Sequence, residues 1–434
     1  MNYKDYFKDK RIAIIGLGAH GEMIADIKFL LRNKANVSLF DIRSEERLKK
    51  YIMSLSVGGL QKLSFGKIDG EELINYDLII LSSEISQKST FLKKAVQAGI
   101  QIDYSDILFF KLAPQVTFIG IIGICGKSTV MHLMYRMLKK SFLNYKDQGL
   151  FIIDPESMGG SIAHLKKIKK GDVIIVRIPE HLLDHYYHIR MSPHVAIITS
   201  SIPLKILEFQ TYNNFIIASD DIVDEIRVEA NSISKAKILR TRASSIPRDW
   251  GIEGKIIHNQ ENCALAIQAS ELFKVSKDIM KDIIHDFFGL RGHIELIKKV
   301  GGIDFYNDSA SVSPNSTLSA IKFLSINKKI IAILGGAYTG YDYTKLIKDL
   351  PQFVSTLILL PGSGTIGFRN SISKINSFDT NIIQVLNLEE AVKRAKEISE
   401  KGDIVLFSPG FNAVGIDISR RERGERFVKA VRGL

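Results

Sequence analysis

Short apolar runs alternate with longer amphipathic segments along the first 114 residues. The segment RIAIIGLGAHG starts as an apolar run and breaks into glycines, EMIADIKFLLRN has helical spacing, and VSLFD and YDLIILSSE are further apolar runs. Buried parallel strands have nearly continuous apolar sequences, and helices of this length connect them. The pattern therefore predicts a doubly wound parallel α/β sheet.

The same alternation recurs twice in the rest of the chain. TFIGIIGIC leads through glycines into the helical MHLMYRMLKK, and further on KIIAILGGAYTG and GDIVLFSPG are apolar runs that end in glycine. We therefore predict three consecutive α/β domains. They are a Rossmann-like N-terminal domain at residues 1–114, a central P-loop-type ATPase sheet at residues 115–289, and a Rossmann-like C-terminal domain at residues 290–434.

Composition narrows the class of protein. Of the 434 residues, 45% are hydrophobic and 24% are charged, which are ordinary values for a globular chain and argue against a disordered or collagen-like one. The apolar stretch at residues 117–125 is shorter than the roughly 18 residues of a membrane span. The N-terminal MNYKDYFKDK lacks the apolar core of a signal peptide, and the two distant cysteines match no metal spacing. We therefore expect a cytoplasmic protein with reduced thiols.

The net charge of +12, from 59 lysines and arginines against 47 acidic residues, raises the question of an anionic partner. The lysines are spread in pairs such as Lys49-Lys50 and Lys166-Lys167, with no basic tail and no helix-long basic block. We therefore predict a lysine-rich surface around sites for anionic small molecules, and no nucleic-acid partner.

A glycine turn lies where the first apolar run meets the first amphipathic segment. Its residues are Gly16, Leu17, Gly18, Ala19, His20 and Gly21, and the acidic Asp41 ends the second apolar run. This is the context of a GxGxxG turn, whose backbone approaches a diphosphate at the N-terminus of a helix. The turn predicts a nucleotide ligand. By itself it also fits an NAD-dependent dehydrogenase, or a tight turn without a ligand.

A second glycine loop separates an apolar run from a helical segment in the central domain. Its residues are Gly123, Ile124, Cys125, Gly126, Lys127, Ser128 and Thr129, a shortened phosphate loop with two residues between its glycines. Backbone N–H groups of such a loop hold phosphates, Lys127 would reach the outer phosphates, and the Ser128 hydroxyl would bind Mg²⁺. A hydride-transfer enzyme needs no ATP loop, so two such sites favour an enzyme that activates its substrate with ATP.

Taken in order, these motifs resemble the Mur ligase family of peptidoglycan synthesis over nearly the whole chain. Asp41-Ile42-Arg43 matches the family's D-x-R, residues 123–129 match G-T-N-G-K-[ST]-T, and residues 258–262 match H-N-x-x-N. The matching segments of the C-terminal third are Phe288-Gly289-Leu290 with Glu295, Asn307-Asp308-Ser309 with Pro314 and Thr317, Leu334-Gly335-Gly336, Leu406-Phe407-Ser408-Pro409, and Arg423-Gly424 with Phe427. Each segment is weak evidence by itself, whereas their common order and spacing indicate the family.

The resemblance implies an ATP- and Mg²⁺-dependent ligase. In the family, ATP phosphorylates the carboxylate of UDP-N-acetylmuramoyl-L-alanine, and the amine of D-glutamate then attacks the acyl phosphate. The implied sites comprise residues for the UDP precursor (Asp41 and Arg43 at uracil; Gly16, Leu17 and Gly18 at the diphosphate), for ATP (residues 123–129, with Asn262 at the adenine), for Mg²⁺ (Ser128) and for catalysis (Lys127 and Asp308). We expect a monomer.

Several positions depart from the family pattern, mainly around the second metal and the amino-acid pocket. Arg177 stands where the family has a Mg²⁺-binding glutamate, and Glu180 lies three residues further on. The loop after residues 199–203 is shorter than in the family, and Lys205 within this segment has no assigned match to the family's modified lysine. The remaining replacements are Gly292-His293 in the hinge, Ala310, Val312, Thr339 and Ala413.

These departures leave two interpretations. The chain is an active ligase with a rearranged site, or it is a degenerate homologue that binds ATP or a UDP-sugar precursor without ligating D-glutamate, or that ligates a different amino acid. We favour activity because the GKST sequence of the phosphate loop is kept. As replacements for lost groups we considered His181, Asp184, His185 and His188, but favour ordinary helix-surface roles for the histidines. We interpret Asp220-Asp221 as part of a turn. We interpret Arg420 and Arg421 as solvated surface residues, and Arg423 as part of the family pattern.

Overall fold

The computed structural model describes most of the chain and divides it into two compact units, Met1–Phe287 and Phe288–Leu434. The described residues are 2–18, 21–55, 59–83, 85–124, 126–142, 148–154, 160–200, 204–251, 257–287, 289–325, 329–338, 341–374, 380–413 and 420–434. The first unit contains two separate sheets and the second contains one. The boundaries of the three predicted domains stay a prediction.

The first sheet has five parallel strands in the order β3-β2-β1-β4-β5. The strands are β1 Arg11–Ile15, β2 Asn36–Asp41, β3 Lys62–Phe65, β4 Leu78–Leu81 and β5 Gln101–Tyr104. The helices are α1 Tyr3–Phe7, α2 Ile24–Arg32, α3 Glu45–Ile52, α4 Lys93–Gln97 and α5 Ser105–Leu112. The chain reverses its direction of strand addition between β1 and β4, so the ligand crevice of this sheet is expected at their carboxyl ends.

The second sheet has six parallel strands in the order β11-β10-β9-β6-β8-β7. The strands are β6 Thr117–Ile122, β7 Leu150–Ile153, β8 Val173–Arg177, β9 Val195–Ile198, β10 Phe215–Ser219 and β11 Lys237–Thr241. The helices are α6 Lys127–Phe142, α7 Leu183–His188, α8 Asp220–Ile233, α9 Ile257–Glu271 and α10 Lys277–His285. Here β6 lies between β8 and β9, and the phosphate loop follows β6 at this switch point.

The sheet of the second unit is mixed, with the order β12-β13-β17-β14-β15-β16. The strands are β12 Glu295–Val300, β13 Ile303–Asn307, β14 Ile330–Leu334, β15 Val354–Leu359, β16 Asn381–Gln384 and β17 Ile404–Phe407. The helices are α11 Pro314–Leu324, α12 Thr344–Phe353, α13 Ser363–Ile372, α14 Leu388–Ile398 and α15 Arg420–Arg432. Only β12 runs antiparallel, against β13. The predicted α/β class is therefore confirmed, with one antiparallel edge strand that the apolar pattern did not indicate.

The central strands are buried because their sequences are continuously apolar. The whole of β4 and β9 is buried, as are the last four residues of β1. One apolar core continues through both sheets of the first unit, from Ile14 in β1 to Val223 in α8. Among the described residues, no helix is both long enough and apolar enough to cross a membrane.

A buried polar contact also joins the two sheets of the first unit. The Ser105 hydroxyl at the start of α5 donates to the Asp26 carboxylate on α2, and the backbone N–H of Ala163 donates to the other carboxylate oxygen at 3.0 Å. Ala163 belongs to the 3₁₀ helix Ile162–Lys166, and Ser105 accepts from the backbone N–H of Ser161 at 3.0 Å. Burial raises the pKa of Asp26 to about 7, although these hydrogen bonds oppose the shift. The contact therefore joins α2 and α5, which pack on the first sheet, to a segment between β7 and β8 of the second sheet.

Candidate active site

The first glycine turn lies at the carboxyl end of β1, in the crevice between β1 and β4. Gly16 and Gly18 have φ values of 83° and 81°, a backbone region that favours glycine. A Cβ at Gly16 would lie 2.5 Å from the Ser82 hydroxyl oxygen at the end of β4. The turn therefore brings its backbone close to β4, as a diphosphate site requires. Ala19 and His20 lie outside the described residues.

Asp41 and Arg43 contact each other beside this turn. The Asp41 carboxylate accepts from the backbone N–H of Leu17 at 2.9 Å and from Arg43 Nη2 at 2.6 Å. Arg43 Nη2 also donates to the backbone oxygen of Gly18 at 3.0 Å. Burial raises the pKa of Asp41, but the Arg43 guanidinium and two backbone N–H groups outweigh it, so the net pKa is lowered. Asp41 is therefore an ionised carboxylate whose hydrogen bonds hold Arg43 beside the turn.

Ser82 is a residue of this crevice that the sequence analysis missed. It is 2% exposed, and its hydroxyl has no hydrogen-bond partner among the described residues. A buried hydroxyl without a partner is unfavourable and indicates that something else completes its bonding. The signal was present in the sequence, since a serine directly follows the buried apolar run of β4.

The second glycine loop connects β6 to α6 and touches two other elements. Gly123 and Gly126 have φ values of 141° and 81°. A Cβ at Gly123 would collide with the Thr199 hydroxyl after β9, and a Cβ at Gly126 would collide with Asn262 Oδ1 on α9. Both glycines are therefore required by close packing, and Asn262 lies at the loop. Cys125 lies outside the described residues.

Polar groups of the loop are engaged by Lys127 and Ser200. The Lys127 ammonium donates to the backbone oxygens of Gly123 and Ile124, the latter at 3.3 Å. The Ser200 hydroxyl accepts from the backbone N–H of Ile124 at 2.6 Å. Ser128 and Thr129 lie in the first turn of α6, where backbone N–H groups and the helix dipole favour an anion. The loop thus has the strand, the glycines, the ammonium and the helix N-terminus of a phosphate site.

Arg177 occupies the carboxyl end of β8 beside the strand that leads into this loop. It lies opposite Ile121 of β6 in the parallel register. Arg177 Nε donates to Asp154 Oδ1 at 2.7 Å, and Nη2 forms an ion pair with the same oxygen. Asp154 directly follows β7 and is 3% exposed. The nearby Glu180 is exposed. The carboxylate partner of the buried Arg177 is Asp154, a residue that sequence reasoning missed.

The residues considered as replacements for the lost catalytic groups lie on or just before α7. The His185 ring packs edge-on against Tyr104 of the first sheet, with centroids 4.8 Å apart. Asp184 and His188 are exposed, and the His181 side chain is not described. At the other edge of the central sheet, Asp220 forms ion pairs with Arg240 and Arg242.

In the second unit, Asp308 is buried where β13 and β17 end. Its carboxylate accepts from the Ser408 hydroxyl at 2.7 Å and from the backbone N–H of Ile294 at 3.2 Å. The Thr317 and Ser408 hydroxyl oxygens are 3.0 Å apart, so Thr317 donates to Ser408 while Ser408 donates to Asp308. Burial raises the pKa of Asp308 to about 7, and the hydrogen bonds from Ser311, Ser408 and Ile294 oppose the shift. Asp308 thereby joins two strand ends to α11 and to the segment before β12.

The C-terminal motif residues pack against this network. Arg423 is 2% exposed, and its Nη2 donates to the backbone oxygen of Phe411 at 2.9 Å. A Cβ at the neighbouring Gly424 would collide with the Ser309 hydroxyl. Arg423 is therefore a core residue of this unit, distinct from a solvated cluster. Ala413 is buried, while Thr339 lies outside the described residues.

Comparison with known proteins agrees with this arrangement. A family model described as "Mur ligase MurD-like, N-terminal domain" matches residues 10–103, which contain the glycine turn, Asp41 and Ser82. The chain is similar to the Mur ligases. It is 27% identical to UDP-N-acetylmuramoylalanine–D-glutamate ligase of Clostridium botulinum strain Kyoto, over 100% of this chain and 98% of that one. The enzyme of the same name from Caldanaerobacter subterraneus is 26% identical, over 98% and 99%.

Solved structures support the fold of this chain. A murein peptide ligase from Psychrobacter arcticus has a TM-score of 0.57 and 13% identity, covering 98% of this chain and 99% of that one. The MurF ligase of Thermotoga maritima, in complex with ADP, has a TM-score of 0.50 and 16% identity, covering 99% and 97%. The three-sheet α/β architecture is therefore that of the Mur ligases, which form amide bonds with ATP.

The residues of this chain fit Mg²⁺ at the phosphate loop but not at the end of β8. Ser128 lies at the N-terminus of α6, where a phosphate-bound cation meets a hydroxyl ligand. Arg177, by contrast, places a buried cation at the position of the expected carboxylate. Within the described residues, no three His, Cys, Asp or Glu side chains gather as a metal-binding group.

Proposed function

We propose that this Mur ligase homologue is an ATP-dependent ligase that adds an amino acid to UDP-N-acetylmuramoyl-L-alanine through an acyl phosphate, as a step of peptidoglycan synthesis. D-Glutamate is the first amino acid to test. The observation that carries the proposal is the phosphate loop. Gly126 lies against Asn262 and Lys127 lies over the loop, in the same compact unit as the Asp41–Arg43 pair.

The ATP end of the reaction uses backbone groups and one ammonium. The backbone of residues 123–129 holds the phosphates, and Lys127 stabilises the charge that develops on the transferring phosphoryl group. Asn262 orients the adenine from α9. Ser128 would hold Mg²⁺, which would supply further neutralisation of phosphate charge. Because a carboxylate is a poor electrophile, phosphorylation is what makes its carbon open to attack by an amine.

The UDP end of the precursor binds at the first sheet. Arg43 and Asp41 lie beside the Gly16–Gly18 backbone, and the Ser82 hydroxyl faces the same turn. We assign uracil recognition to Asp41 and Arg43, and diphosphate contact to the turn and to Ser82. The buried Asp26–Ser105 contact joins the sheet of this site to the sheet that carries the phosphate loop.

The second unit supplies the amino-acid site. Asp308 is predicted to be catalytic. Its hydrogen bonds with Ser408, Ile294 and Ser311 support a role in positioning the ends of β13 and β17 at this site. The enzyme is proposed to work as a monomer in the cytoplasm, where ATP is available, without a nucleic-acid partner.

A phosphate-release assay tests the ligase directly. Purified protein is incubated with ATP, Mg²⁺, UDP-N-acetylmuramoyl-L-alanine and single amino acids from a panel that includes D- and L-glutamate. The expected result is phosphate release that requires both the precursor and one amino acid, with a product whose mass equals the two substrates joined minus water. ATP binding without release for any amino acid would refute ligation.

A second candidate function is nucleotide or precursor binding without ligation. The Arg177–Asp154 pair favours it, because a buried cation replaces an expected metal ligand. This alternative predicts saturable binding of ATP or precursor and no release in the assay above.

A further inference from the structure

The carboxyl edge of the central sheet carries a buried guanidinium next to the phosphate loop. Arg177 is the last residue of β8 and pairs with Ile121, two residues before Gly123. The backbone N–H of Ile178 donates to the Ile121 oxygen at 3.0 Å, so the two strand ends are held side by side. Ligands of doubly wound sheets bind outside the carboxyl ends of the strands at the switch point. Arg177 therefore lies at the edge where the ATP phosphates bind.

The guanidinium is held in place by a carboxylate from the next strand. Asp154 accepts from both Nε and Nη2 of Arg177 with one oxygen, and the side chains of Arg177 and Asp154 are 10% and 3% exposed. Burying two charges costs several kcal/mol, and such pairs are often no more stabilising than apolar residues of the same size. The other residues of β8 are apolar and fully buried. Packing alone gives no reason for a charge at this strand end.

A phosphate ligand gives such a reason. A planar guanidinium forms strong charge-assisted hydrogen bonds to phosphate oxygens and stays ionised at every working pH. The family resemblance places a Mg²⁺-binding carboxylate here, and an arginine at that position excludes a cation by repulsion. The replacement of a negative by a positive side chain at position 177 converts a position that would bind a metal ion into one that binds anions directly.

We propose that Arg177, held by Asp154, contacts the outer phosphates of bound ATP and replaces the charge of a second metal ion. The proposal rests on the ATP site of the proposed function, but not on ligation. It makes Arg177 a binding residue that distinguishes ATP from AMP, because AMP lacks the outer phosphates.

Binding measurements on a neutralised pair test this role. The variant combines Asp154→Asn with Arg177→Gln, which removes both charges and leaves the net charge unchanged. The matched control combines Asp224→Asn with Arg240→Gln, an exposed pair between α8 and the edge strand β11. Calorimetry gives the dissociation constants of ATP and AMP for each protein, with Mg²⁺ and with EDTA.

The expected result is a selective loss of ATP affinity. A charge-assisted hydrogen bond contributes about 1.5–3 kcal/mol, so the neutralised pair should bind ATP roughly 10- to 100-fold more weakly, with AMP binding unchanged. The control should stay within about twofold of wild type for both nucleotides, since exposed pairs contribute little. An unchanged ratio of ATP to AMP affinity in the neutralised variant would overturn the proposal, whether both affinities fall together or neither does.

Two further variants keep the test decisive. If circular dichroism shows that the neutralised variant does not fold, the variant Arg177→Lys takes its place in the test. This substitution keeps the positive charge but loses the planar guanidinium group. It should weaken ATP selectively, and an unaltered ATP-to-AMP ratio contradicts the proposal. The exchange of Asp154→Arg with Arg177→Glu restores a carboxylate to β8, and its ATP binding should depend more steeply on Mg²⁺ than that of wild type. An equal Mg²⁺ dependence also counts against the proposal.

These outcomes are separable from the fate of the ligase proposal. ATP binding with the expected Arg177 effect and no phosphate release refutes only ligation. Phosphate release by the wild-type protein, together with a ratio of ATP to AMP affinity that is unchanged in the Arg177 variants, refutes only the new role. A wild-type protein that binds no ATP refutes both.

Discussion

The substitution Gly126→Ala adds one methyl group to the phosphate loop. It tests whether close packing of Gly126 against Asn262 supports ATP binding, apart from the effect of backbone strain on the stability of the fold. The new Cβ would lie 3.3 Å from Asn262 Cγ and 3.4 Å from Nδ2, and would overlap Oδ1. Asn262 is 5% exposed, so its side chain must leave its rotamer or push the loop away from α9. An off-rotamer side chain costs about 0.5–1.5 kcal/mol, and a lost hydrogen bond to adenine about as much again.

These two effects add to about 1–3 kcal/mol, which predicts roughly 5- to 150-fold weaker ATP binding. The left-handed backbone costs a further 1–2 kcal/mol or so for any residue with a Cβ, but this lowers the stability of the fold rather than ligand affinity. Calorimetric titration with ATP measures the affinity, and thermal unfolding measures the stability.

Gly171→Ala is the matched control for this experiment. Gly171 belongs to the same domain and has a φ of 90°, and a Cβ there would meet nothing within 4 Å. It should lose stability by a similar amount and keep wild-type affinity for ATP. The reasoning fails if Gly126→Ala binds ATP normally, or if Gly171→Ala loses affinity to the same extent.

Three further changes test other parts of the site. Lys127→Ala should lower the rate of phosphate release at least about 100-fold, because one preorganised donor at the reacting group is lost, and unchanged turnover would refute its role. Ser82→Ala should weaken precursor binding roughly 10-fold without changing ATP affinity, whereas exposed Ser54→Ala should change neither; equal effects of the two would contradict the diphosphate contact. The pKa of buried Asp26, about 7, lies above its value of 3.8 in an unfolded chain, so the native state binds the proton more tightly and stability falls as the pH rises from about 4 to 7. Thermal unfolding across this range should show a smaller decline in Asp26→Asn, and an identical pH profile would rule out this contribution.

The features that sequence reasoning predicted depend on residues close together along the chain. Each glycine loop follows an apolar strand and begins a helix, so its local geometry can be inferred from spacing. Asp41 and Arg43 are two residues apart, so assigning them to one site needs no knowledge of the sheet order. Asn262 is the exception, since it lies far along the chain from Gly126; its approach to the loop was implied by the family resemblance.

The features that were missed depend on which strands are neighbours. Ser82 meets Gly16 because β4 pairs with β1 although two strands lie between them in the chain, and Asp154 meets Arg177 because β7 pairs with β8. Apolar periodicity identifies a strand but carries no information about its partner, since every buried strand has the same pattern. The antiparallel β12 escaped prediction for a related reason, because its ELIKKV sequence lacks a continuous apolar run.

The residues that this chain keeps and those that it changes differ in how they act. In the proposed function, the glycines at positions 16, 18, 123 and 126 let backbone N–H groups reach phosphates, a role that tolerates wide variation in the surrounding side chains. The changed positions 177, 310 and 413 are ones where the family resemblance implies that a side chain acts through its own charge or hydroxyl. A site can therefore keep its affinity for nucleotides while its metal and amino-acid requirements change. For this reason nucleotide binding and acceptor choice should be measured separately, and the acceptor panel should extend beyond D-glutamate.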